Sequence, residues 1–323
     1  MEIVLQIFLL VVGFVLLIKG ADWLISGASS AAASFKVSKQ LIGLTIVAFG
    51  TGAPELAVSI SSLASGNTDM LLGNVIGSNI LNIMLLIGIA AAIRPIKINK
   101  NTISKELPLL LLISTVLIVL FLDTSIIGSI SNSIDRGDAL ICILFFAIFL
   151  YYIFSMARSN RKEKKKVEKP KYKLGIAMLL VVTGLVGVVL GSQLVVNSAS
   201  TIAAEIGVSD RIIALTVVAF GTSLPELVTT ITAARRGENE LLVGNIIGSN
   251  IFNICIVLGI PVAIFGSITP ESFELLDLVM LIGSAIILWL VAKTDTTITR
   301  KEGVLMLAIF TIYYSYIIYG ALA

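Results

Sequence analysis

Two carboxylates stand where the surrounding sequence makes charge expensive. Glu55 lies in LTIVAFGTGAPELA (44–57) and Glu226 in LTVVAFGTSLPELV (215–228). An ionisable side chain inside a membrane-length apolar run marks a functional site by default. A protonated carboxyl bonded to a neighbouring helix would explain one such residue. It explains poorly two that recur in matching motifs, each directly after a proline. Pro54 and Pro225 carry no N–H, so the carbonyls four residues earlier, at Gly50 and Gly221, lose their helical donors. Gly50, Gly52 and Gly221 add backbone freedom. Each helix is therefore expected to break beside its Glu. Freed carbonyls at membrane depth survive only where they line a cavity or hold something.

A second motif pair supplies short oxygen-bearing side chains. GNVIGSNILNI (73–83) contributes Asn74, Ser78, Asn79 and Asn82, and GNIIGSNIFNI (244–254) contributes Asn245, Ser249, Asn250 and Asn253. Ser78 and Asn82 are four apart and share a helix face, as do Ser249 and Asn253. The glycines at 73, 77, 244 and 248 suit close helix packing. Interhelical hydrogen bonds alone would be another use for the Asn and Ser set, and Asn79 and Asn250 fit that structural role best. Together the carboxylates, the carbonyls and hydroxyls at the Gly-Thr breaks and the Ser and Asn oxygens make an all-oxygen cation site. Soft ligands are absent, which disfavours zinc and copper. Calcium takes about six to eight oxygens in flexible geometry, whereas magnesium demands stricter octahedral order. Two carboxylates balance one Ca²⁺, and the same oxygens could be divided among several Na⁺ ions. Competition for shared carboxylates is then a physical basis for exchange.

The elements that position these groups are membrane helices. Of 323 residues, 57% are hydrophobic and only 13% charged, and the mean hydropathy is +1.03. So few charges cannot cover a soluble domain of this size, which excludes a soluble enzyme, a nucleic-acid binder and a disordered chain. No His is present, so His-based metal sites, proton relays and hydrolytic triads are excluded. Cys142 and Cys255 each sit in an apolar run and read as small core residues. Ten apolar stretches can be drawn, at 3–24, 40–64, 71–93, 106–122, 138–156, 173–199, 211–234, 241–265, 275–292 and 303–321. The first has no basic leader and reads as a span rather than a signal. The one hydrophilic segment carries RKEKKK at 161–166. With ten spans, twenty Lys and Arg fall on the side of that linker, and only Arg136 and Arg211 on the other. The positive-inside rule puts the linker in the cytoplasm and both termini outside, in the cell membrane. Lys19 and Asp22 suit an i,i+3 pair near the end of the first span.

Both motif pairs are offset by the same 171 residues, agreeing at ten of fourteen and nine of eleven positions. The chain thus reads as a duplicated unit: 1–156, a basic linker 157–172, and 173–323. Five spans per unit is an odd number, so the second copy enters the membrane from the opposite side, a frequent architecture of secondary transporters. The expected fold is an all-α membrane protein of ten transmembrane helices, two inverted five-helix repeats with broken helices at the ion site.

The paired G-T-[GS]-x-P-E-L and G-N-x-I-G-S-N motifs resemble the sodium/calcium exchanger family of the cation/Ca²⁺ antiporter superfamily, in particular its small prokaryotic members, over essentially the whole chain. The resemblance implies four ion sites between spans 2, 3, 7 and 8. Glu55 and Glu226 would be the shared carboxylates, and Thr51 and Thr222 would join them around Ca²⁺. Ser78, Ser223, Ser249 and the backbone of Ala48 and Ala219 would serve flanking Na⁺ sites, with Asn82 and Asn253 at the middle position. Spans 1 and 6 would slide against the remaining bundle, for which Gly20, Gly187 and Gly191 suit the contact. Gly52 departs from the family's usual Ser, which puts one hydroxyl of a Na⁺ site in doubt, and position 253 is Asn where some relatives carry Asp. With two carboxylates at the site, three Na⁺ leave a net charge of about +1 and one Ca²⁺ leaves none, so electrogenic Na⁺/Ca²⁺ antiport by a monomer in the bilayer is expected, with no organic cofactor. The alternatives are Ca²⁺/H⁺ antiport, with the two Glu residues carrying protons, and a cation channel. The Ser and Asn set argues against the first, since protons need no such cage. The repeat within one chain argues against the second, since channels usually ring identical subunits.

Overall fold

The computed structural model describes residues 2–122, 132–162, 169–207, 219–269 and 275–322. They form an almost wholly helical membrane protein. In chain order the helices are α1 (Glu2–Phe35), α2 (Lys39–Thr51), α3 (Ala53–Ala64), α4 (Thr68–Ile93), α5 (Thr102–Phe121), α6 (Arg136–Lys162), α7 (Leu174–Glu205), α8 (Ala219–Gly221), α9 (Leu224–Arg236), α10 (Asn239–Phe265), α11 (Leu275–Asp295) and α12 (Arg300–Leu322). Among the described residues eight helices are long and apolar enough to cross a membrane, and α2 with α3 make a ninth span bent by 42°. Of the expected span at 211–234, residues 211–218 lie outside the described residues, and α9 is its second half. The expected polar loop after the fourth span is likewise described only from residue 132.

Two helices overrun their expected ends. The apolar pattern of the first span stops near residue 24, yet α1 continues to Phe35. Ser26, Ser30 and Ser34 donate their hydroxyls to carbonyls four residues earlier, at Asp22, Ser26 and Ser30. The polar turns thus stay helical without apolar cover. α7 similarly runs to Glu205.

α1 and α7 lie side by side, with Leu17, Ala21, Val188 and Val195 forming a small core, while Leu24, Ile25, Ala28 and Ala32 of α1 and Val181 of α7 belong to the main core. Their contact is backbone on backbone. Gly13, Gly20 and Gly27 recur every seven residues on α1, and Ala177, Gly184 and Gly191 do so on α7. A Cβ added at Gly20 would sit 2.7 Å from the nitrogen of Val188, and one at Gly184 would sit 2.5 Å from that of Leu24. Small residues therefore set the interhelical distance, as the membrane demands where apolar burial gives no preference for protein over lipid. The outer faces are left to lipid, with Val4, Phe8, Val11 and Val15 of α1 and Leu179, Val182 and Val186 of α7 exposed.

The remaining helices make the body, centred on α4 and α10, the two most buried spans. Gly244 and Gly248 let α10 approach α2 closely: an added Cβ would meet Gln40 O at 2.5 Å and Leu44 O at 2.6 Å. Gly73 and Gly77 have no described neighbour within 4 Å. The segment that the repeat offset would set against them begins at residue 211, mostly outside the described residues. At one end of the body a short antiparallel pair, β1 (Ile96–Lys97) with β2 (Thr297–Ile298), ties two loops together, and an isolated bridge between Ile134 and Ile268 does the same for another two loops. Asp22 pairs with Arg236 of α9 at 2.7 Å rather than staying within its own helix, and Ser26 accepts from the same guanidinium. Ser29 donates to Glu238, 3.1 Å away, and Lys39 pairs with Glu238 at 2.9 Å. These contacts fasten α1 to the linker-side end of the body.

Gly184→Val is expected to destabilise the protein by about 1–3 kcal/mol through overpacking against Leu24, read as a lowered thermal midpoint in detergent. Gly175→Ala, on the same helix with nothing within 4 Å, is expected to leave the midpoint unchanged.

Candidate ion-binding site

The helix breaks form as the prolines require. α2 ends at Thr51 and α3 begins at Ala53, with Gly52 at φ −79°, ψ 0° between them. In the second half Ser223, at φ −90°, ψ 4°, separates α8 from α9. Pro54 and Pro225 occupy the first turns of α3 and α9, where a missing N–H costs nothing. The freed carbonyl of Gly221 accepts the hydroxyl of Ser192 from α7, 2.8 Å away. At the matching position of α1 stands Ala21, which has no hydroxyl to offer Gly50. Phe49 and Phe220, each just before a break glycine, anchor the two broken spans. Phe49 stacks on Phe252 with centroids 5.1 Å apart and leans on Phe146 of α6, while Phe220 packs edge-on to Tyr314 of α12 at 4.9 Å.

Beside these breaks Glu55 and Glu226 are each 1% exposed. Oε2 of Glu55 and both oxygens of Glu226 have no hydrogen-bond partner. The two carboxylates interact electrostatically across the interface of the halves, and the Thr51 side chain lies beside Glu226. Among the described residues no Lys or Arg is buried. Two buried, interacting carboxylates thus have no counter-charge among the described residues, an arrangement that a bound cation would neutralise.

The neutral oxygens converge from both halves. Thr51 donates its hydroxyl to Val47 O at 3.1 Å, which turns its lone pairs away from its own helix. Ser78 and Ser223 come together across the halves with hydroxyl oxygens 3.5 Å apart. Thr222 Oγ1 lies 3.5 Å from Asn74 Oδ1, and Ser249 Oγ is buried with no partner. The carbonyl of Ala48 accepts from Gly52 N at 3.0 Å and more weakly from Thr51 Oγ1 at 3.5 Å. Ala219 opens α8, directly after residues outside those described. Gly52 stands where a side chain would crowd Phe252, since an added Cβ would lie 3.0 Å from that ring. A side chain at this position, such as the serine that the second half carries at 223, would require the Phe252 ring to shift by a few tenths of an ångström.

Four of the six motif asparagines form a reciprocal clamp. Asn79 Nδ2 donates to Asn250 O at 3.3 Å, and Asn250 Nδ2 donates to Asn79 O at 3.2 Å. Their side-chain oxygens take the amides of the other pair: Asn82 Nδ2 to Asn250 Oδ1 at 3.0 Å, and Asn253 Nδ2 to Asn79 Oδ1 at 3.3 Å. Asn79 and Asn250 thus hold Asn82 and Asn253 by their NH₂ groups, leaving Asn82 Oδ1 and Asn253 Oδ1 buried and free. The π-helical turns Leu81–Leu86 and Asn253–Leu258 begin at this clamp, a distortion frequent at functional sites.

Other polar residues near the site were not among those singled out from sequence. Ser192 caps a break carbonyl. Ser59 receives Asn74 Nδ2 at 3.0 Å. Ser59 and Thr230 are hydroxyl residues four positions after each Glu, matched at the repeat offset, so the repeat itself carried that signal. A third buried carboxylate, Glu106, accepts from Tyr152 on α6. It belongs to α5, and the site's own count remains two. A groove of about 680 Å³ opens on the linker face, lined among others by Lys36, Lys97, Lys100, Glu238 and Glu240. None of the residues named for the ion site lines it.

Paired carboxylates at two helix breaks, ringed by neutral oxygens in a helical membrane body, define a membrane cation transporter rather than an enzyme. The chain belongs to the sodium/calcium exchanger family, whose model, "Sodium/calcium exchanger protein", matches residues 5–155 and 176–319. It is 37% identical over 328 residues to the putative antiporter CaxA of Alkalimonas amylolytica, covering 99% of this chain and 100% of that protein. It is 34% identical over 316 residues to the inner membrane protein YrbG of Escherichia coli, covering 94% of each. A solved structure of the sodium-calcium exchanger NCX_Mj, soaked with 10 mM Na⁺ and 10 mM Sr²⁺, superposes with a TM-score of 0.83 at 32% identity, over 97% of this chain and 98% of that one.

Asn250→Ala would leave Asn79 O and the Asn82 amide unpaired, each at about 1–3 kcal/mol. The expected result is a lower thermal midpoint together with a smaller upward shift on adding Ca²⁺, because Asn82 Oδ1 is no longer aimed. Differential scanning fluorimetry with and without Ca²⁺ measures both.

Proposed function

We propose that the protein is a secondary-active antiporter that exchanges Na⁺ for Ca²⁺ across the cell membrane by alternating access. The observation that carries this reading is the pair Glu55 and Glu226, both buried with no buried Lys or Arg among the described residues and with carboxylate oxygens left without a hydrogen-bond partner. Ca²⁺ takes both carboxylates with Thr51 and Thr222. Na⁺ ions use the same carboxylates with Ser78, Ser223, Ser249 and the backbone at Ala48 and Ala219, and Asn82 and Asn253 define the middle position. The printed names of the relatives, antiporter and sodium-calcium exchanger, support the ions and the mode of transport.

Ion occupancy excludes itself electrostatically. Two carboxylates accept one Ca²⁺ to neutrality, and about three Na⁺ to a net charge near +1, so exchange is electrogenic and worth ~2.3 kcal/mol per 100 mV. The linker lies in the cytoplasm and both termini outside, as the basic loops require, and the inner-membrane name of the Escherichia coli relative supports that membrane. Movement is assigned to the α1–α7 pair. It has a small core of its own at Leu17, Ala21, Val188 and Val195, and α7 touches both breaks: Leu185 lies against Gly50, and Ser192 and Val196 against Gly221. A shift of α7 along the body changes which break is covered.

Liposomes loaded with Na⁺ and diluted into Na⁺-free buffer are expected to take up radiolabelled Ca²⁺, faster when the interior is held positive, because about three Na⁺ leave for each Ca²⁺ that enters. Glu55→Gln and Glu226→Gln are each expected to reduce uptake at least 100-fold, about 2.7 kcal/mol at 1.36 per decade. Uptake driven by a pH gradient and indifferent to Na⁺ would replace this reading with Ca²⁺/H⁺ antiport.

A further inference from the structure

The repeat offset of 171 residues maps Ser59 and Asn74 onto Thr230 and Asn245. In the first half the pair is closed: Asn74 Nδ2 donates to Ser59 Oγ at 3.0 Å and to Glu55 O at 3.1 Å. In the second half it is open. Thr230 and Asn245 are each 1% exposed, and neither Thr230 Oγ1 nor Asn245 Oδ1 and Nδ2 has a partner. A buried helical Thr ordinarily donates to a carbonyl one turn earlier. Its neighbour Thr229 does so, to Pro225 O at 2.8 Å and Glu226 O at 3.0 Å, but Thr230 does not. An Asn with both ends of its amide buried and unpaired is rarer still, because buried polar side chains are nearly always bonded.

The position of the pair says what it serves. Thr230 shares a face of α9 with Glu226, and Asn245 shares a face of α10 with Ser249 and Asn253, since each lies at four-residue spacing. α9 runs from its break to Arg235 and Arg236 on the linker face, and α10 returns from that face. Thr230 and Asn245 are therefore each one turn, about 6 Å, nearer the linker face than Glu226 and Ser249. Glu240, which lines the open groove on that face, lies five residues before Asn245, about 7.5 Å along the helix.

We infer that Thr230 and Asn245 form an additional Na⁺ site, a way-station between the linker-side groove and the exchange site at Glu226. The inference rests on the exchange reading given above. Its oxygens are neutral, and the nearest carboxylate on the same face is Glu226, one turn away. Such a site stabilises a partly hydrated monovalent ion, whereas a divalent ion needs more charge than it offers. Because the matching pair in the first half is closed on itself, the station acts on ions arriving from the linker side.

The test uses the full-length protein in proteoliposomes, with Na⁺ varied separately on the linker side and the opposite side, and with Ca²⁺/Ca²⁺ exchange followed in the absence of Na⁺. The combination Thr230→Val with Asn245→Leu is expected to raise the linker-side Na⁺ half-saturation at least about tenfold, leaving the opposite-side value and Ca²⁺/Ca²⁺ exchange within about twofold of the wild type. Asn245→Asp is expected to lower the linker-side half-saturation, a gain that misfolding cannot produce, and Thr230→Ser to retain the wild-type value. Unchanged linker-side Na⁺ dependence in all variants would overturn the inference and leave the pair as water-filled packing. Equal shifts on both sides, or loss of Ca²⁺/Ca²⁺ exchange, would overturn it in favour of a structural role. Na⁺-independent transport by the wild type would overturn the exchange reading and this site with it.

Discussion

The structure is organised around two carboxylates that hydrocarbon cannot tolerate alone. Glu55 and Glu226 are buried, mutually repelling and without a buried basic residue among the described ones. Elsewhere in a protein such a pair would be relieved by an arginine or by water. On the exchange reading, a fixed cation would defeat the purpose, because it would fill the position that a mobile ion must take and leave. The protein instead surrounds the carboxylates with neutral oxygens, which lower the cost of an ion's dehydration without fixing the charge. Breaks at Pro54 and Pro225, π-helical turns at Asn82 and Asn253, and the clamp of Asn79 and Asn250 all serve this one requirement. Each exposes or aims an oxygen that a regular helix would have consumed.

Duplication solves a second difficulty. A site reached from either side of a membrane needs two equivalent approaches of opposite direction, and an inverted repeat supplies both from one folding unit. The reciprocal bonds of Asn79 with Asn250 show the equivalence at the level of atoms. Yet the halves are not identical. Ser192 caps the Gly221 carbonyl while Ala21 leaves Gly50 without a hydroxyl from α1. Phe252 lies against the side-chain position at Gly52, whereas Ser223 carries a side chain at the matching one. Such differences make one arrangement of the α1–α7 pair preferable to its mirror, so the two approaches are chemically distinct.

Much of this was legible in the sequence, for physical reasons. The membrane makes polar residues expensive, so Glu55, Glu226 and the Ser and Asn residues of the twin motifs announced themselves, and the offset of 171 residues paired them. The proline rule located both breaks to within a turn, at Gly52 and at Thr222–Ser223. The pairing of the asparagines was not legible. Asn79 and Asn250 read as structural and Asn82 and Asn253 as ligands, but only three-dimensional contact shows that the first pair sets the orientation of the second. Nor could hydropathy find the true end of α1. Its last turns are held by serine hydroxyls bonded to their own backbone, and by Asp22 reaching Arg236 on another helix. Apolar patterning reports contact with lipid, and those turns face protein and the membrane surface.

The glycine contact between α1 and α7 draws these points together. Lipid and apolar side chains are nearly equivalent solvents, so two membrane helices gain little from interlocking large residues. Interlocked side chains would also hold them in one register. A glycine seam separated every seven residues brings backbones into contact while presenting few knobs to climb over. The pair is thus tight laterally and smooth along its length, with its outer face in lipid and its inner face touching both breaks through Leu185, Ser192 and Val196. At the linker face it is tied to the body by polar contacts, Asp22 with Arg236 and Ser29 with Glu238, beside the apolar packing of Leu24, Ile25, Ala28 and Ala32. Polar contacts at a membrane surface exchange readily with water. On the exchange reading, the asparagine clamp belongs to the rigid body, and the polar part of the pair's attachment is what can be remade as access changes. Rigidity where ions are recognised and replaceable contacts where access changes follow from the same fact, that only backbone packing and buried hydrogen bonds hold firmly inside a bilayer.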